Sequence, residues 1–177
     1  MHHEIVISGF GGQGVILAGK MLIYAGMIED RYVSHIPSYG IAMRGGAANC
    51  DVVVSDQHIG SPLVKQPSTA LLLSRMAYDR YESLVAPGGI AIVNSSLIDR
   101  KPARDDIETI YVPCDDIAEK AGQPRSVNVA ALGGLIGTID VCKPESLEAA
   151  FDRSFKGRKH IVDVNMKVLA AGMEHVA

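Results

Sequence analysis

The chain has 177 residues, of which 47% are hydrophobic, enough for one well-packed core and too few for two ordinary enzyme domains. Seventeen Lys and Arg stand against twenty Asp and Glu, a net charge of -3. With no long block of like charge to track a phosphate backbone or an anionic surface, nucleic acid and membrane are both unexpected partners.

The N-terminus Met1-His2-His3-Glu4 runs straight into an apolar strand pattern without the basic and apolar regions of a signal peptide, so a cytoplasmic protein is expected. Glu4 to Ser8 reads as strand one, a β-branched run that ends in glycines. Gly9-Phe10-Gly11-Gly12-Gln13-Gly14 follows, and Val15 to Met27 then recurs at helical spacing. Arg31 to Ile36, Ala47 to Ser55 and Thr69 to Leu73 are the next strands. Pro37 to Gly46, between the second and third, has no clean period.

Ser74 to Val85 has helical spacing, Pro87-Gly88-Gly89 turns the chain, and Ile90 to Val93 is again a strand. Glu108 to Val112 is the last strand, after which Asp115 or Asp116 is placed to cap a short helix to Ala121 and Ser126 to cap one through Ile139. Helices over about Glu145 to Phe155 and Arg158 to His175 complete the pattern. The alternation predicts an α/β fold: one domain over residues 1–177, a three-layer α/β/α sandwich on a largely parallel or mixed sheet, with a Rossmann-like first βα unit and a helix-rich C-terminal third. The longest near-apolar run, Val127 to Val141, falls short of the roughly 20 residues that span a bilayer.

Cys50, Cys114 and Cys142 form no C-x-x-C pair, and the six histidines fall in no metal-binding motif, so no metal is expected on this chain. Gly9 to Gly14 satisfies G-x-G-x-x-G between a strand and a helix, where glycines permit close backbone approach and the helix start favours an anion. A Rossmann NAD site also needs an acid at the end of strand two, where this chain has His35, Ile36, Pro37 and Ser38. A tight turn with close helix packing is therefore a better reading of the motif than an ordinary NAD site. In the second cluster, Arg44 could clamp a phosphate or carboxylate beside Gly45 and Gly46, or serve at an interface. Asp105-Asp106 and Asp115-Asp116 look like paired carboxylates, but their settings, a polar loop and a helix start, favour structural roles. Gly133, Gly134 and Gly137 suit close helix packing.

Several segments recur together: G-F-G-G-Q-G-V-I-L-A-G-K from Gly9, S-Y-G-I-A-M-R-G-G-A-A from Ser38, S-P-L-V from Ser61, P-G-G-I-A-I-V-N-S-S from Pro87 and V-N-V-A-A-L-G from Val127. In this order and spacing they closely resemble the gamma subunit of the pyruvate, 2-oxoisovalerate and 2-oxoglutarate ferredoxin oxidoreductases, over nearly the whole chain. One departure stands out: many relatives carry Pro-Glu where this chain has Ile41-Ala42. The resemblance implies an enzyme that decarboxylates a 2-oxoacid on thiamine diphosphate, passes electrons through iron-sulfur clusters to ferredoxin and releases acyl-CoA. The chain lacks the G-D-G motif with downstream Asn used for the magnesium diphosphate, and three cysteines cannot build a four-thiolate cluster. The resemblance therefore implies that alpha and beta subunits, with a delta subunit in some assemblies, supply thiamine diphosphate, magnesium and the clusters. It further implies that this subunit helps bind coenzyme A, through Gly11, Gly12, Gln13, Gly14, Ser38, Tyr39, Arg44, Gly45, Gly46 and Asn128, and helps assemble the complex. In isolation a homodimer is one of the states open to the chain. The runner-up reading is a stand-alone nucleotide-binding or regulatory Rossmann-like module.

Overall fold

A computed structural model describes residues 1–39 and 46–177, with the backbone alone for Tyr39. Strand β1 (His2–Phe10) leads through the glycine turn into α1 (Val15–Ile28), followed by β2 (Tyr32–Tyr39) and β3 (Ala47–Ser55). Next come β4 (Thr69–Leu72), α2 (Arg75–Tyr81) with a 3-10 turn at Glu82–Leu84, β5 (Ile90–Asn94) and β6 (Glu108–Val112). Four helices complete the described chain: α3 (Cys114–Lys120), α4 (Val127–Thr138), α5 (Pro144–Phe155) and α6 (Lys159–Val176).

The six strands form one mixed sheet in the order β2-β3-β1-β4-β5-β6. From β1 onward, β4, β5 and β6 lie side by side and parallel, whereas β3 is antiparallel to both β1 and β2. The first βα unit thus resembles a Rossmann opening, but β3 separates β1 from β2. The β1–β3 register runs from His2↔Ser55 to Phe10↔Ala47, which draws β1 out beyond the Glu4–Ser8 core that the apolar pattern marks.

Strand β2 continues past Ile36, where a proline would be expected to end it. Pro37 pairs in register with Cys50 on a strand bonded on one side only, and an edge position tolerates a residue without an N–H.

The two faces of the sheet are covered unequally. On one, Ile5, Ile7, Cys50, Val52, Leu71 and Ile92 pack with α1 and α4, behind which α5 and α6 extend the same core. On the other, Val6, Leu72, Ala91 and Val93 meet Ala77, Tyr78 and Tyr81 of α2 and Ile98 and Ile107 of the β5–β6 connection. The helix-rich last third therefore thickens one face.

Helices α4 and α6 approach at backbone distance. A Cβ on Gly133 would overlap the Leu169 carbonyl oxygen and lie 2.9 Å from Gly172 Cα, so close packing is what this glycine serves.

Two expected helix caps differ. Ser74 caps α2 by accepting from Ala77 N at 3.2 Å. By contrast, the N-cap of α3 is Pro113, with Asp115 and Asp116 inside the first turn, where acids complement the helix dipole. Ser126 holds the N-cap position of α4 without a side-chain cap; its hydroxyl donates to Asn165 Oδ1 at 2.7 Å. A buried polar partner within reach outcompeted the local cap.

Candidate functional site

The glycine turn is built by the bonds its own groups make. Gly12 and Gly14 have φ of 106° and 74°, left-handed values that a Cβ disfavours, and these reverse the chain between β1 and α1. Gln13 N donates to Phe10 O at 3.1 Å, closing the turn, while Gly11 N donates to Gly46 O at 3.0 Å. That second bond ties the glycine turn to the residue just before β3. Because β1 and β3 are antiparallel, the end of one lies beside the start of the other.

Gln13 is buried, and its side chain points back into the protein. Its Oε1 accepts from Phe10 N at 2.9 Å and its Nε2 donates to Leu73 O at 2.8 Å, pinning the turn to the end of β4. Asn128, in the first turn of α4 and also buried, donates from Nδ2 to Gly14 O at 3.1 Å. The side chains of both residues scaffold the loop. Among the described residues, the amides of Gly12 and Gly14 make no hydrogen bond, and α1 has no side-chain cap. Two N–H groups with no partner among the described residues, at a helix start without a side-chain cap, suit an anion.

Asn94, at the end of β5 and 1% exposed, was not singled out among the site candidates. Its Nδ2 donates to Leu73 O at 3.4 Å and to Asp115 Oδ2 at 2.7 Å, while its Oδ1 accepts from Cys114 N at 3.1 Å and Ser96 N at 3.3 Å. Leu73 O thus receives both Gln13 and Asn94, and one network links the glycine turn, β4, β5 and α3. An asparagine ending an apolar strand was the available sequence signal.

Above this network lies a cleft of about 390 Å³ at the carboxyl ends of β1, β4 and β5. Gly11, Gly12, Gln13, Asp115 and Arg125 line it, and Phe10, Leu97 and Val127 give it apolar wall. Ligands of open α/β sheets favour this edge.

Of the remaining predicted residues, Ser38 is exposed near the end of β2, and Gly46 meets Gly11 as described. Arg44 and Gly45 lie outside the described residues, as does the Ile41-Ala42 departure. Asp106 pairs with Arg104 at 2.6 Å, so the Asp105-Asp106 loop is tied down structurally. Burial pushes the thiols of Cys50 and Cys142 up to about 12 and that of Cys114 further in the same direction. Among the described residues no group of three or more His, Cys, Asp or Glu is placed to hold a metal ion, and no helix is long and apolar enough to cross a membrane.

Residues 4–175 match the family described as Pyruvate ferredoxin/flavodoxin oxidoreductase. The chain is 34% identical to the ketoisovalerate oxidoreductase subunit VorA of Methanothermobacter marburgensis, over 97% of this chain and 36% of that protein. It thus spans about a third of the length of the first curated relatives it matches. With the 2-oxoglutarate synthase subunit KorC of Methanocaldococcus jannaschii it shares 39% identity, over 85% of this chain and 82% of that one. Among solved structures, a keto/oxoacid ferredoxin oxidoreductase gamma subunit from Geobacter sulfurreducens superposes with a TM-score of 0.83 at 30% identity, covering 98% of both chains. The 2-oxoglutarate:ferredoxin oxidoreductase of Magnetococcus marinus, solved with 2-oxoglutarate, coenzyme A and succinyl-CoA bound, shares the fold at a TM-score of 0.89 and 19% identity, over 99% of this chain and 31% of that one.

Proposed function

The chain belongs to the pyruvate ferredoxin/flavodoxin oxidoreductase family, and from that premise we propose that it is the gamma-type subunit of a cytoplasmic, heteromeric 2-oxoacid:ferredoxin oxidoreductase. The complex oxidatively decarboxylates a 2-oxoacid to its acyl-CoA and delivers the electrons to ferredoxin. Alpha and beta subunits, with a delta subunit in some assemblies, carry thiamine diphosphate, magnesium and the iron-sulfur clusters. The observation that carries this reading is the family match over residues 4–175, supported by the likeness in fold and sequence to a keto/oxoacid ferredoxin oxidoreductase gamma subunit.

The subunit's own task is to help hold coenzyme A and to assemble the complex. Support for the first comes from the amides of Gly12 and Gly14, which make no hydrogen bond among the described residues, at the turn that lines the cleft. Backbone donors at a helix start and a planar guanidinium are complementary anchors for a diphosphate. The insertion of β3 between β1 and β2 weighs against a stand-alone dinucleotide-binding module, because the end of β2 is then one strand further from the glycine turn than a ribose-binding acid must be.

Native purification of the tagged chain tests the proposal. Stoichiometric iron and thiamine diphosphate should co-purify with it, together with larger subunits. A chain that elutes alone, or with partners that contain neither, contradicts the assignment.

A further inference from the structure

We propose that the groove between α1 and α5 binds a phosphate dianion, free or as a small monoester, at a site separate from the glycine-turn cleft. A cavity of about 340 Å³ lies there, lined by Leu17, Lys20, Met21 and Tyr24 of α1 and by Arg153 and Ser154 of α5. None of these residues lines the glycine-turn cleft. The Arg153 guanidinium sits 4.9 Å from the centre of the Tyr24 ring, and that stacking holds its planar fork at the cavity. Lys20, exposed and one helical turn before Tyr24, brings a second cation from the facing helix.

The lining holds these two cations and no acid. Among the described residues neither Lys20 nor Arg153 belongs to an ion pair. Residues Gly40 to Gly45, outside the described ones, include no Asp or Glu that could neutralise them. Asp152, next to Arg153 in sequence, lines a different cavity between α5 and α6, together with Glu145, Glu148 and Asp163. Two like charges on one cavity repel, and a bound dianion turns that repulsion into two attractions. The buried Ser154 hydroxyl, which has no partner among the described residues, is a third donor in the same wall. A phosphoryl group has oxygens enough for the fork, the ammonium and the hydroxyl together, whereas a carboxylate has two. Leu17 and Met21 make the remaining lining apolar, which suits the short carbon skeleton of a monoester. The anion thereby ties the C-terminal part of α5 to the middle of α1, while Glu29 Oε1, accepting from Lys143 N at 2.7 Å, ties the other ends of the two helices.

Calorimetry on the full chain at constant ionic strength, with inorganic phosphate and glycerol 3-phosphate as probes, tests the proposal. Lys20→Met and Arg153→Gln should each weaken both probes about tenfold, and Arg125→Gln, in the glycine-turn cleft, should leave them within about twofold. Lys20→Met should melt with wild type in the absence of phosphate, so its loss is one of binding and not of folding; phosphate should raise the melting temperature of wild type more than that of Lys20→Met. Tighter binding of glycerol 3-phosphate than of inorganic phosphate identifies an organic monoester as the ligand, and equal affinities identify the free ion. Absence of saturable binding of either probe to the wild-type chain overturns the proposal. So does binding that Arg125→Gln abolishes and Lys20→Met leaves unchanged, since the anion then sits at the glycine turn.

Discussion

The amide of Gly11 donates to the carbonyl oxygen of Gly46 at 3.0 Å, closing a junction between residues 35 apart in sequence. It joins the strand-turn-helix unit that opens the chain to the segment that leads into β3. Gln13 and Asn128 hold the opposite side of the turn, one to β4 and the other from α4.

Gln13→Ala should therefore destabilise the fold even though it removes no charge. The substitution strands Phe10 N and removes one of the two donors to Leu73 O. We expect a loss of about 1 to 3 kcal/mol in urea unfolding, the usual range for a buried polar group deprived of its partner. A change within about 0.3 kcal/mol would mean that the turn is held by its backbone alone.

Gly133→Ala tests the α4–α6 contact. The added methyl overlaps the Leu169 carbonyl, and backbone cannot rotate out of the way as a side-chain end can. A loss of about 3 kcal/mol or more is expected. Gly157→Ala, at φ 70° with open space around the new Cβ, is the control and should cost about 1 kcal/mol. Equal losses would contradict the close approach.

Acid should loosen the clasp between α1 and α5. Burial raises the Glu29 pKa, but the Lys143 N–H, Ser146 and the Arg31 guanidinium outweigh it and hold the carboxyl below its ordinary value of 4.5. A carboxylate with a depressed folded pKa contributes stability that is full above the ordinary value and is lost as pH falls through the folded one. Glu29→Gln should accordingly lower the melting temperature at pH 7, and the gap to wild type should close toward pH 3. A gap constant over that range would exclude the ionised clasp.

The three thiols should be silent in the native protein. Cys50, Cys114 and Cys142 are 0%, 0% and 4% exposed, and burial holds each in the protonated form at neutral pH. A colorimetric disulfide reagent at pH 8 should find none before denaturant and three after it. Rapid native reaction of any one would place it at the surface.

Much of this architecture was legible in the sequence because its elements are locally determined. The β-branched runs ending in glycine, the helical spacing after Gly14 and the Pro87-Gly88-Gly89 turn each carry their own signal. Strand β2 was read short because Pro37 signals a stop, and the edge position that excuses a proline belongs to the sheet and not to the segment. Likewise, the hydroxyl of Ser126 left its own helix for Asn165, 39 residues away. In the candidate site, the glycines were visible as a motif, but the inward turn of Gln13 and the bridging by Asn94 depend on where β4 and β5 end. The insertion of β3 between β1 and β2 is a pairing choice that no local pattern records.

The most direct test of the central claim is a subunit-omission assay on the complex reconstituted from its separate chains. The rate of 2-oxoacid- and coenzyme A-dependent viologen reduction is measured with this chain present, absent or alone. The account predicts no activity and no cluster spectrum from the chain by itself, activity in the full mixture, and loss of acyl-CoA formation when it is left out. Undiminished acyl-CoA formation without the chain, or turnover by the chain alone, would contradict it.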